Sequence, residues 1–129
     1  MGKRGQPPAL SEAQLEIMNV VWDQGETTVA EVWNVLSAGR SVARNTVQTL
    51  MTRLEEKGWL RHRAEGQTFY YRAAHARQAT VGRLVQRLVD TAFAGSRSGL
   101  MLALLEGRGI TADEAQRIRE MIDQAEKKS

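Results

Sequence analysis

Asn45, Gln48, Thr49, Thr52 and Arg53 carry side chains that hydrogen-bond nucleobase edges or phosphates. At roughly 100° per residue they share one helical face with Glu56. The opposite face is apolar, with Val47, Leu50, Met51 and Leu54 at i, i+3, i+4 and i+7. A polar ridge on an anchored back is the layout of a DNA recognition helix. Such a helix enters the major groove by its N-terminal half, so Asn45, Gln48 and Thr49 are the residues expected at base edges. Asn and Gln pair bidentately with adenine, and Thr offers its methyl to thymine or its hydroxyl to phosphate. Arg44 and Arg53 flank the ridge and suit phosphates.

Other chemistry has little to build on. With no cysteine, the chain forms no disulfide, thiolate metal site or nucleophilic thiol. Its two histidines, His62 and His75, lie in different segments, and no HExxH, GxSxG, P-loop or GxGxxG pattern occurs. The carboxylate pairs Glu55-Glu56 and Asp113-Glu114 fall on helix surfaces or caps, where water solvates them. Trp22, Trp33 and Trp59 lie on apolar stripes and are expected in the core rather than stacked on bases. The expectation is a protein without a catalytic site, a metal or a cofactor.

The elements that must position the ridge follow from punctuation. Residues 1–9 hold Gly and Pro twice each and are expected to form a disordered arm. Ser11 and Gln14 make a capping box, with Leu10 and Leu15 as its hydrophobic staple, and Gly25 stops this first helix. Thr28 and Glu31 open a second helix carrying Val29, Val32, Trp33 and Leu36, which Gly39 closes. The ridge helix comes third and ends at Gly58. Two strands, 59–64 and 67–72, with Glu65-Gly66 as their turn, then read as a wing. Phe69 and Tyr71 share the face expected to pack on the helices, while Arg61, Arg63 and Gln67 would straddle a neighbouring phosphate backbone. Residues 12–31 carry five acids and no Lys or Arg, a net −5; residues 40–72 carry seven basic against three acidic side chains, a net +4. A basic band beside an acidic helix suits a surface that meets a polyanion. The fold expected is mainly α (α+β): a winged helix-turn-helix at 10–73, then a helical dimerisation segment at 74–129.

That second segment has its own pattern. A helix over 75–94 carries Leu84 and Leu88 in register with Val81 and Val85; residues 100–105 are almost wholly apolar. A third capping box at Thr111 and Glu114 opens a last helix with Ile118 and Ile122 on one face. Three helices of this size do not bury so much apolar surface within one chain. Leu84, Leu88, Leu100, Met101, Leu104, Leu105, Ile118 and Ile122 are therefore expected to meet a second copy in a C2 homodimer. No apolar run approaches about 18 residues, so no membrane insertion is expected. The N-terminus lacks signal-peptide and myristoylation patterns, which points to the cytoplasm.

On these residues the chain resembles the penicillinase-repressor family of bacterial transcription regulators over residues 10–126. The pieces that carry the resemblance are LSEAQLEIMNVVW, NTVQTLMTRLEEKGWL, TFYYR and GITADEAQRIREMI. It implies a homodimeric repressor on a double-stranded palindromic operator, in the control of β-lactam or cell-wall-stress genes. Asn45, Thr46, Gln48, Thr49 and Arg53 would be its DNA-contacting positions. It also brings in an upstream sensor or protease as a candidate partner. Members of the penicillinase type are cut at an Asn-Phe bond; here that position matches Ala103-Leu104, so the same cleavage is not implied. Copper-responsive relatives carry a cysteine cluster that this chain lacks. The competing expectations are a winged helix that docks on another protein through residues 12–31, and a small-molecule-responsive regulator.

Overall fold

Four of the helices begin where a short polar side chain replaces the missing backbone acceptor. Ser11 Oγ accepts from the Gln14 amide while Gln14 Oε1 accepts from the Ser11 amide, and Thr28 and Glu31 repeat the reciprocal pair. Gly25, at φ 84°, ends the first helix in a conformation that a side chain would resist. In the computed structural model, which describes residues 7–128, the order is α1 (Glu12–Gln24), β1 (Glu26–Thr27), α2 (Val29–Ser37), α3 (Arg44–Glu56), β2 (Leu60–Glu65), β3 (Thr68–Ala73), α4 (Arg77–Ala92), α5 (Arg97–Gly107) and α6 (Ala112–Lys127). The chain divides within α4 into two units, one ending at Gly82 and the other beginning at Arg83.

The first unit is a winged helix-turn-helix. Ile17, Met18 and Val21 of α1, Val32 of α2 and Val47, Met51 and Leu54 of α3 are all fully buried and form one cluster, closed by Trp59, Leu60 and Tyr71. Every indole N–H donates to a backbone carbonyl outside the regular elements: Trp22 to His75 at 2.9 Å, Trp33 to Val42 at 2.7 Å and Trp59 to Pro8 at 3.0 Å. All three tryptophans thus belong to the packed interior or its edge, with their one polar atom satisfied. The expected disordered arm lies outside the described residues for 1–6. At residues 7–9 the expectation needs correcting, since Pro8 is held by Trp59.

The sheet runs β1-β3-β2, antiparallel throughout. β1 pairs Glu26 with Arg72 and Thr27 with Tyr71, a strand the sequence pattern did not reveal. Glu65 pairs with Thr68, so the two-residue loop is Gly66-Gln67, one position later than expected. Gly66 has φ 65°, as the first loop position of a type II′ hairpin requires. Of the two aromatics expected on the helices, Tyr71 is buried but Phe69 is 46% exposed. Phe69 sits opposite Ala64, near the tip, and stacks on His62 at 4.0 Å instead.

The second unit is helical. Ala94 at φ 49° and Gly95 at φ 88° break the chain after α4, and α5 leaves at 97° to it. Ser96 and Thr111 cap α5 and α6, although Thr111 lacks the reciprocal bond from Glu114 that a full capping box needs. Val89 is the one buried apolar side chain among its described residues, whereas Leu88, Leu104, Leu105 and Ile122 are exposed and Leu84, Leu100, Met101 and Ile118 half-buried. Among the described residues, no single helix is long and apolar enough to cross a membrane.

Shortening Met51 to Ala removes a fully enclosed side chain from beneath α3. The expected cost is about 2–5 kcal/mol, read as a lower urea midpoint with unchanged slope.

Candidate nucleic-acid interface

Burial of Val47, Met51 and Leu54 dictates which way α3 turns its other side. Asn45, Gln48, Thr49, Thr52 and Arg53, together with Glu56, line one shallow open depression of about 480 Å³. The structure thus gathers five of the ten residues expected at DNA. Arg44 and Thr46 are exposed at the start of α3 but outside that depression, and Arg61, Arg63 and Gln67 lie on the wing. Thr52 Oγ1 donates to the Gln48 carbonyl at 3.0 Å, which leaves its oxygen lone pairs free to accept.

Unlike α1, α2, α5 and α6, α3 starts without a side-chain cap: Ala43 occupies the position, and the first turn holds no acid. Its first amides and the positive end of its dipole stay open to solvent, a setting that favours an anion. What fixes this end is the preceding loop. Trp33 Nε1 holds the Val42 carbonyl, and the Arg40 guanidinium forms a two-pronged contact with Glu16 at 2.9 and 2.7 Å. α1 and α2 therefore both set the approach of α3.

On the wing, residues alternate between faces. Leu60, His62, Tyr71 and Phe69 look toward the helices and the tip above them; Arg61, Arg63, Tyr70, Arg72 and Glu26 look outward. His62 Nδ1 lies 2.7 Å from both Glu55 carboxylate oxygens, joining the wing to the last turn of α3. Burial raises the Tyr71 phenol above its ordinary range, with Glu55 adding to the shift.

Arg63 is bonded within the protein. Its Nε and Nη2 donate to the two oxygens of Glu26 at 2.9 and 3.0 Å, and its Nη1 donates to Glu65 at 2.9 Å. The guanidinium also lies 4.6 Å from the centre of the Tyr70 ring. Its side chain is thus engaged within the protein, whereas Arg44, Arg53 and Arg61 form no ion pair among the described residues. The hydrogen bond from Arg63 holds the Glu26 carboxyl below its ordinary pKa, as Arg40 does for Glu16. The sequence shows Glu26 as one acid in an acidic run and nothing of its partner, because the pairing spans two strands of a sheet.

The same bonding absorbs most of that acidic run. Glu16 meets Arg40, Asp23 meets Arg77 at 2.6 Å, Glu26 meets Arg63, and Glu31 caps α2 while accepting from Thr27 Oγ1. Four of the five acids in residues 12–31 thus have a partner within the protein.

The chain is similar to known proteins over most of its length. A family model described as penicillinase repressor matches residues 10–124. The penicillinase repressor of Bacillus licheniformis is 26% identical over 117 residues, covering 91% of both chains. The transcriptional regulator BlaI of Mycobacterium tuberculosis is 30% identical over 119 residues, which cover 91% of this chain and 85% of the relative. Among solved structures, the monomeric form of Bacillus licheniformis BlaI in complex with the blaP half-operator superposes with a TM-score of 0.50. That chain is 34% identical, and the match covers 57% of this chain and 89% of the other. A MarR mutant from E. coli reaches a TM-score of 0.54 over 90% of this chain and 77% of its own at 18% identity, a likeness of fold alone.

Because the folded-state pKa of Glu16 lies below its ordinary value, its contact with Arg40 favours the folded state above the ordinary carboxylate range. That contribution disappears as the pH falls through the lowered pKa. Glu16→Gln should therefore melt below the parent chain at pH 7, and the two melting temperatures should converge as the pH is brought below about 4.

Proposed function

Since the chain belongs to the penicillinase-repressor family, we propose that it is a transcriptional repressor that binds a palindromic operator as a homodimer. The family is one of repressors, not enzymes. The observation that carries the reading is the α3 face: one side fully buried, the other presenting Asn45, Gln48, Thr49, Thr52 and Arg53 together. Relatives supply the class of partner, because Bacillus licheniformis BlaI was solved on a half-operator.

In this reading α3 lies in the major groove. Asn45, Gln48 and Thr49 read base edges, with Thr52 beside them in the same depression. Arg44, Thr46 and the open amides of α3 hold one phosphate run, with Arg53 on its flank. Arg61 and the loop residue Gln67 reach the next backbone from the wing. Phosphate contacts supply affinity and orientation, whereas the ridge supplies sequence choice.

Exposed Leu88, Leu104, Leu105 and Ile122, with half-buried Leu84, Leu100, Met101 and Ile118, support pairing of two copies through α4, α5 and α6. A two-fold pair presents two ridges to an inverted repeat, and the second half-site is then met at high effective concentration. Loosening or cutting residues 95–110 would release DNA without altering α3. Relatives named for penicillinase and for methicillin resistance support target genes in the β-lactam or cell-wall-stress response.

Replacing Asn45 and Thr49 together by Ala is expected to abolish specific gel retardation of an operator fragment while sedimentation still shows a dimer. Retained specific binding would overturn the assignment of α3. Leu104→Glu is expected to do the reverse, giving monomers that bind a full operator much more weakly and a half-site unchanged; a variant that remains dimeric would remove α5 from the interface. The parent chain's affinity should fall with salt by about 0.9 logarithmic units per tenfold for each phosphate held.

A further inference from the structure

Glu26 stands immediately before the helix pair that carries α3, whereas Arg63 stands in the wing. Their two side chains meet by a two-pronged hydrogen bond across β3, which separates their strands. Glu65 takes a further donor of Arg63, and Tyr70 lies beneath the guanidinium. Arg63 with its two carboxylates carries a net −1, so the cluster adds no positive field for a phosphate to feel. On the same face, Arg61 lies directly opposite Arg72 in the strand register and has no carboxylate partner among the described residues.

We propose that Glu26 and Arg63 form a clamp that fixes the wing relative to the recognition helix, so that Arg63 is a positioning residue and Arg61 makes the phosphate contact. This rests on the DNA-binding reading above and adds how the wing is held for it. The physical reason lies in geometry: a planar fork on a carboxylate fixes both distance and orientation, which a single-pronged contact does not. β1 is only two residues long, so it pairs the wing to the rest of the sheet by little backbone. A side-chain tie at that edge supplies what a longer strand would.

Two models predict opposite signs for one substitution. If Arg63 met phosphate directly, Glu26→Gln would remove a competing anion and tighten DNA binding. With a clamp, Glu26→Gln loosens the wing and weakens binding even though the protein becomes more positive. The experiment compares Glu26→Gln, Arg63→Ala, the double variant and Arg61→Ala on one operator fragment across a salt series, with wing amide exchange measured in the free proteins. A clamp gives losses of about three- to tenfold in affinity for both single variants and no further loss in the double, since each acts through the other. Their salt dependence matches the parent's, wing exchange accelerates in all three, and Arg61→Ala alone lowers the salt slope by about one.

Tighter binding by Glu26→Gln, or a salt slope lowered by Arg63→Ala, would overturn the clamp and make Arg63 a direct contact. Unchanged affinity in both single variants would overturn it as well. If the parent chain itself showed no salt-dependent DNA binding, the DNA reading would fail and the positioning role with it. Wing exchange unaltered by Glu26→Gln would refute the clamp while leaving DNA binding standing.

Discussion

Everything in the first unit depends on the complete burial of Val47, Met51 and Leu54 against Ile17, Met18, Val21 and Val32. Side chains in a close-packed interior have few alternative arrangements, so this contact fixes the rotation of α3 about its own axis. Rotation is the variable that decides which residues face outward. A turn of one residue, roughly 100°, would carry polar side chains into the core and expose methyl groups, at a cost no surface contact could offset. The polar ridge is presented because the apolar stripe cannot be anywhere else.

Rotation alone does not place a helix; its tilt and its neighbours must also be set. Here polar contacts act at the edges of the apolar core. Trp33 and the pair of Arg40 and Glu16 hold the loop before α3, and the contact of His62 with Glu55 ties its last turn to the wing. Most of these ionic contacts are exposed, and each singly contributes little to stability. Their effect is directional. The acidic charges in α1 and β1 occupy some of the arginines; among the described residues of the first unit, Arg44, Arg53, Lys57, Arg61 and Arg72 are left without an ion pair.

Much of this was legible in the sequence, for a physical reason. The ridge and stripe of α3 alternate with the period of a helix, and the capping residues at Ser11 and Thr28 act over three residues, so both signals are local. β1 escaped because two residues define no period and their pairing partner lies more than forty positions away. The wing turn was misplaced by one residue because both Glu65-Gly66 and Gly66-Gln67 put a glycine in the loop; only the register of Glu65 with Thr68 decides between them. Phe69 was expected inward because strand alternation identifies a face but not where the core beneath it ends. The engagement of Arg63 was invisible for the same reason as β1, since it joins segments distant in the chain. Local periodicity speaks; tertiary pairing does not.

The indole bonds have an optical consequence. Each of the three tryptophans fastens a different irregular seam: Trp59 the stretch before α1, Trp33 the turn between α2 and α3, and Trp22 the join that leads to α4. Ultraviolet-excited emission from this chain therefore originates at its seams, and single Trp→Phe replacements would assign a spectral change to one of them. An indole thus sits at three of the places where the backbone leaves regular structure: before α1, between α2 and α3, and before α4.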